Sequence, residues 1–177
     1  MADATRPADG VSLREALRAH HAGALGWALV CCGRDRDAAS EALQSAYARI
    51  LEGSARYDAR ASFRTWLFGV VRLTSLEHRS RSARRAARHA PLAVEPADER
   101  ALPEEAAMAA HRVRALADAL GELEGRQAEL VHLVFYEGLT LDEAAAALDI
   151  HPGTARTHYD RGKKRLLELL AERGVTR

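Results

Sequence analysis

Apolar residues return along this chain at helical spacing, in short blocks separated by breakers. In residues 11–30, Leu13, Ala16, Leu17, Ala24, Leu25, Ala28 and Leu29 fall on one side, which predicts a first helix ended by Gly33-Arg34-Asp35. A second is expected over 37–51, with Ala39, Leu43, Ala46, Tyr47 and Ile50 on its inner face. After a loop at 52–60, a third starts near Ser62 and carries Phe63, Trp66, Leu67, Val70, Val71 and Thr74. Residues 90–105 lose the periodicity, hold three prolines and read as a linker. Four more helices are expected near 109–123, 126–137, 141–148 and 152–172, with Leu120, Leu130, Leu133, Val134, Phe135, Leu148, Ile150 and Leu166 as their core. The predicted fold is all-α: two small helical bundles, over 11–88 and 111–177, joined by a flexible linker at 89–110.

Residues 139–170 give the most specific local pattern. Thr140 and Glu143 form a Thr-x-x-Glu capping box, and Ala144, Ala145 and Leu148 make a compact inner face. Asp149-Ile150-His151 makes a turn, and Pro152 stands where a helix tolerates a missing N–H, with His151 before it as a cap. Ala155, Tyr159, Gly162 and Leu166 then line one side, and Arg156, Thr157, Asp160, Arg161, Lys163 and Lys164 the other. A short capped helix, a tight turn and a second helix with one packed and one basic side form a helix-turn-helix, whose second helix suits a major groove. A basic helical face alone is more often just solvated. The cap, turn and proline start together favour DNA.

Composition agrees with helices: 47% apolar, 29% charged and 5% aromatic, among 177 residues. The net charge of +1 hides a segregation. Residues 60–89 hold eight arginines and one acid, Glu77, whereas residues 95–105 hold five acids and one arginine. A polyanion responds to the local field rather than the sum. No run has the length of a membrane span and residues 1–10 lack a signal-peptide core, so a cytoplasmic protein is expected. The adjacent Cys31 and Cys32 are read as small residues at a helix contact, in preference to a metal or redox site. Gly162-Lys163-Lys164 lacks the rest of a phosphate-binding loop, and no metal-ligand spacing or nucleophile–base arrangement occurs. Neither enzyme activity nor a cofactor or metal is expected.

Two separated stretches resemble one family. Phe63-Arg64-Thr65-Trp66-Leu67-Phe68-Gly69-Val70-Val71-Arg72, with its arginine-rich exit, is similar to region 2 of the bacterial extracytoplasmic-function sigma factors. Arg126-Gln127, Tyr136-Glu137-Gly138-Leu139-Thr140, Glu143-Ala144-Ala145 and Pro152-Gly153-Thr154-Ala155-Arg156-Thr157 resemble region 4. The resemblance implies a dissociable specificity subunit, monomeric when free, whose region 2 docks on core RNA polymerase and opens the −10 element while region 4 reads the −35 element. It places Tyr57, Arg60, Arg64, Arg72 and Leu73 at the −10 strand, and Asp37, Glu41 and Gln44 at the polymerase. It places Arg156, Thr157, Asp160, Arg161, Lys163 and Lys164 at the −35 duplex, and it implies an anti-sigma partner.

The chain departs from the family pattern at three places. Leu73 replaces an Asn that helps hold the flipped −10 base, and Asp149 replaces the usual turn glycine. The acidic docking run is reduced to Glu41 and Gln44 within Ala38-Ala39-Ser40-Glu41 and Gln44-Ser45. Two other readings therefore stand beside the first: a degenerate decoy that binds a sigma regulator, and a free-standing helix-turn-helix regulator that dimerises through its N-terminal bundle.

Overall fold

A computed structural model describes residues 12–86, 115–116 and 118–175, all of them in helices or the turns between helices. The linker expected at 89–110 lies outside these residues. The first predicted helix is two: α1 (Leu13–Ala19) and α2 (His21–Cys31), which meet at His20. A Ser12–Glu15 capping box starts α1. Gly33 and Arg34 both take positive φ (65° and 69°), turning the chain into α3 (Arg36–Leu51), whose first turn Asp35 caps by accepting from the Ala38 N–H. After the loop, Ser62 Oγ accepts from the Thr65 N–H at 3.1 Å and starts α4 (Phe63–Ala86). With 24 residues, α4 is the long strut of the molecule.

α2, α3 and α4 enclose Trp27, Leu43, Ile50, Leu67, Phe68 and Val71, all nearly inaccessible to solvent. The Trp27 indole N–H, which would be costly to bury unpaired, donates to the Phe68 carbonyl at 2.9 Å. The predicted stripe on α4 omitted Phe68, which lies beside Leu67 and faces α2.

In the second half, α5 (Gly125–Val131) passes into a π-helical turn (His132–Tyr136), followed by α6 (Leu141–Leu148) and α7 (Pro152–Glu172). The π turn corrects one expectation: its extra residue rotates the side chains that follow, so Phe135 is 57% exposed instead of core. α5 and α7 approach so closely that a Cβ on Gly162 would sit 3.1 Å from both Gln127 Cβ and Val131 Cγ2. Only glycine fits there without displacement.

The two halves share a core. A single cluster of buried residues runs from Leu17, Trp27 and Phe68 to Leu130, Leu133, Ala144 and Leu148. α4 lies against α6, with the Ala147 carbonyl 3.5 Å from where a Gly69 Cβ would stand. The imidazole of His132 stacks on Trp27 with ring centres 5.7 Å apart. A second, smaller cluster of Ala119, Leu123, Val131 and Leu169 belongs to the C-terminal half alone.

Candidate nucleic-acid interface

The helix-turn-helix is built by its caps. Thr140 Oγ1 accepts from the Glu143 N–H at 3.2 Å while the Glu143 carboxylate accepts from the Thr140 N–H at 2.8 Å. The Thr140 N–H and then the Thr140 hydroxyl, both donating to the Glu143 carboxylate at 2.8 Å, hold that carboxyl below its ordinary range. Asp149 takes the left-handed conformation, φ 53° and ψ 53°, in the place of a turn glycine. His151 Nδ1 accepts from the Gly153 N–H at 3.1 Å, and Pro152 opens α7.

On α7, Ala155 and Gly162 are buried and Tyr159 is partly buried, whereas Arg156, Thr157, Asp160, Arg161, Lys163 and Lys164 are all exposed. Arg156, Arg161 and Lys164 make no ion pair among the described residues. Lys163 lies over the Tyr159 ring, 5.4 Å from its centre, and 4.0 Å from Asp160 Oδ1. Phe135 stacks on Tyr159 at 5.9 Å. The Thr157 hydroxyl donates back to the Gly153 carbonyl at 3.0 Å. The face is thus a cationic strip on which only Lys163 has an acidic neighbour among the described residues, on a helix braced from behind.

The residues expected at the −10 strand are scattered in their environments. Arg60 is exposed and pairs loosely with Asp58 at 3.1 Å. Leu73 is 58% exposed, an apolar side chain in open solvent. Tyr57 is buried instead: its hydroxyl donates to the Ala61 carbonyl at 2.7 Å and its ring packs on Phe63 and Trp66 with centres 5.5 and 5.4 Å away. In this conformation the ring offers no face to a base, so Tyr57 shapes the loop from inside.

Arg64 and Arg72 lie under the C-terminal half. Arg64 donates to both the carbonyl and the carboxylate of Glu137, the latter at 2.9 Å. Arg72 Nε donates to Glu129 Oε1 at 2.9 Å, and the other Glu129 oxygen accepts from Arg126 at 3.2 Å. The Arg72 and Glu129 side chains are only 14% and 10% exposed. The His132 imidazole, and then the Arg64 guanidinium, hold the Glu137 carboxyl below the usual carboxylate range, against the burial that pushes it up. His132 Nε2 is buried without a conventional hydrogen bond, 3.4 Å from Glu137 Oε1. Glu129, His132 and Glu137 were missed as functional candidates. An acid immediately before Leu130 and Val131, within an apolar stretch, was the available signal.

Asp37, Glu41 and Gln44 are exposed along one side of α3, and Glu41 lies 4.0 Å from His78. Cys31 and Cys32 are buried free thiols whose ionisation burial pushes up, consistent with packing residues.

The sigma-70 region 2 family model matches residues 17–85, and the sigma-70 region 4 model matches residues 113–166. The chain is 32% identical over 161 residues to RNA polymerase sigma factor CarQ of Myxococcus xanthus, covering 89% of each protein. It is 27% identical over 148 residues to ECF RNA polymerase sigma factor SigX of Bacillus subtilis, covering 78% of this chain and 75% of that one. Its fold is shared with the sigma factor RpoE of Bartonella quintana, solved in complex with the anti-sigma factor NepR. The TM-score is 0.64 at 21% identity, over 89% of this chain and 96% of the other. With both regions present in order, an arginine-bearing α4 and an open cationic α7, the chain belongs to the sigma-70 family, among its extracytoplasmic-function sigma factors.

Proposed function

We propose that this protein is an alternative sigma factor that joins core RNA polymerase and directs it to promoters through two separate contacts. The carrying observation is the face of α7, where Arg156, Thr157, Asp160, Arg161, Lys163 and Lys164 stand exposed on a capped helix-turn-helix. Arg156, near the start of the helix, reads base edges of the −35 element, and Lys163 and Lys164 hold phosphates. Arg60, Arg64, Arg72 and Leu73 take the −10 strand, with arginines tracking phosphates. Asp37, Glu41 and Gln44 on the outer side of α3 meet the polymerase. The working units are 11–88 and 111–177, joined through 89–110, and the protein acts in the cytoplasm. Among the described residues no helix is long and apolar enough to cross a membrane, which fits that location. An anti-sigma partner is part of this reading, supported by the fold shared with a sigma factor solved with one.

Run-off transcription tests the proposal. Core polymerase with this protein should produce a discrete transcript from a matching promoter, and no transcript plus no complex with core would refute it. The same assay separates a decoy, which would bind a sigma regulator yet leave core inactive.

A further inference from the structure

The two halves meet on the side of α4 that carries Arg64 and Arg72. The contact has three layers. At one end Arg64 is held by the Glu137 carboxylate and carbonyl; Gly23 lies directly beneath, so close that a Cβ there would meet Glu137 Oε2 at 2.6 Å. In the middle, Gly69 of α4 faces the Ala147 carbonyl of α6, and His132 covers Trp27. At the other end Arg72 enters the Glu129–Arg126 cluster. Two cations that would track a nucleic-acid backbone are thus neutralised by two acids of the same chain, and one of the pairs is almost fully desolvated.

We propose that this contact is an intramolecular latch: Glu129 and Glu137 occupy Arg64 and Arg72 in place of strand phosphates, so closure and single-strand binding by α4 exclude one another. The inference rests on the assignment of Arg64 and Arg72 to the −10 strand. The carboxylates offer the arginines what phosphate oxygens would offer, in a geometry that the apolar seam keeps in place. Exchange of one acceptor for the other requires the C-terminal half to leave α4, which exposes Trp27. The α7 face lies outside this contact, so the latch masks one of the two DNA surfaces and leaves the other open. Because only the open form binds a strand, closure lowers the apparent strand affinity by the fraction of molecules that are open.

Trp27 makes the latch visible. In full-length protein carrying Trp66→Phe, acrylamide should quench the remaining indole poorly, and a single-stranded oligonucleotide should raise its quenching as it pulls the halves apart. Glu129→Gln with Glu137→Gln should raise quenching without DNA and tighten oligonucleotide binding, read by anisotropy at low salt, roughly tenfold. Glu137→Gln alone, at the more accessible pair, should move both readouts the same way by less, and serves if the double variant does not fold. Unchanged quenching when the oligonucleotide binds would overturn the latch, as would a variant that exposes Trp27 without binding more tightly. If the tightened binding survives addition of Arg64→Ala and Arg72→Ala, the −10 assignment of those arginines fails. Exposure of Trp27 by the oligonucleotide in the Trp66→Phe protein would then show that closure and strand binding still exclude one another, through groups other than these arginines.

Discussion

Helices α4 and α7 both carry arginines suited to DNA, yet the fold treats them in opposite ways. On α7, Arg156 and Arg161 project from a helix whose buried side is narrow, Ala155 and Gly162 alone being fully covered near the basic face. On α4, Arg64 and Arg72 lie within a seam, each paired with an acid from the other half. The helical sequences do not differ in kind. What differs is what packs on them, so the presence of a basic residue and its availability to DNA are separate properties.

The sharpest way to break this comparison is to remove an arginine from each side. Arg72→Ala leaves the buried Glu129 with Arg126 as its remaining partner, and loss of one hydrogen bond to a buried charged group typically costs about 1.5–3 kcal/mol. At roughly 2–4 °C per kcal/mol, the melting temperature should fall by at least about 3 °C. Arg156→Ala removes an exposed side chain and should stay within about 0.5 kcal/mol of the parent. Thermal denaturation of both variants decides the matter, and equal losses would erase the distinction. Transcription should rank them differently. Arg156→Ala should lose discrimination at one −35 base pair by about 1–3 kcal/mol, measured by comparing wild-type and substituted promoters.

Thr140→Ala probes the element that serves both regions. α6 packs on α4 through Ala147 and on α7 within the helix-turn-helix, and Thr140 caps it. Loss of the cap should cost about 1 kcal/mol, and it should loosen the α4 seam and the α7 brace together. Hydrogen exchange on both sides of α6 would reveal it, and protection lost on one side only would contradict a shared support.

These contrasts also show what the sequence could and could not express. The helix-turn-helix was legible almost to the residue, since its signals are local: the Thr140–Glu143 box, Asp149 in a left-handed turn, His151 capping and Pro152 at the helix start. The all-α architecture followed from periodicity in the same way. The break at His20 was not legible, because apolar spacing continues across it. Nor was the π turn, which exposes Phe135 although its position in the pattern is apolar. The seam was least legible of all. Arg72 and Glu129 are separated by 57 residues, and no local rule pairs them. The burial of Tyr57 was hidden for another reason: its partners Phe63 and Trp66 are near in sequence, but the loop that turns the ring inward is irregular.

Acid should act on the seam through Glu137. Glu137 has its carboxyl lowered by His132 and Arg64, so its contribution is present above the ordinary carboxylate range and is lost as pH falls through the lowered value. His20, whose own ionisation is disfavoured by burial and by Arg64, also lies in this field and adds positive charge on acidification. Trp27 quenching in the Trp66→Phe protein should therefore rise at acid pH, below the ordinary range. Glu137→Gln should remove most of that rise while leaving the acid sensitivity of other depressed carboxylates such as Glu77. An unchanged profile would assign the opening to those other groups.

The smallest expected effect separates two neighbours on the open face itself. Lys164 is exposed and makes no ion pair among the described residues, so its loss should weaken DNA binding similarly for all sequences and reduce the salt slope by about 1. Lys163 is partly engaged, over the Tyr159 ring and near Asp160. Lys163→Ala should therefore reduce the slope by less, because some of its charge is already screened by groups of the protein. Titrations of a promoter duplex at several salt concentrations would compare them. A larger slope change for Lys163 would mean that Tyr159 holds its ammonium toward the phosphates, making the ring a positioning group for DNA contact.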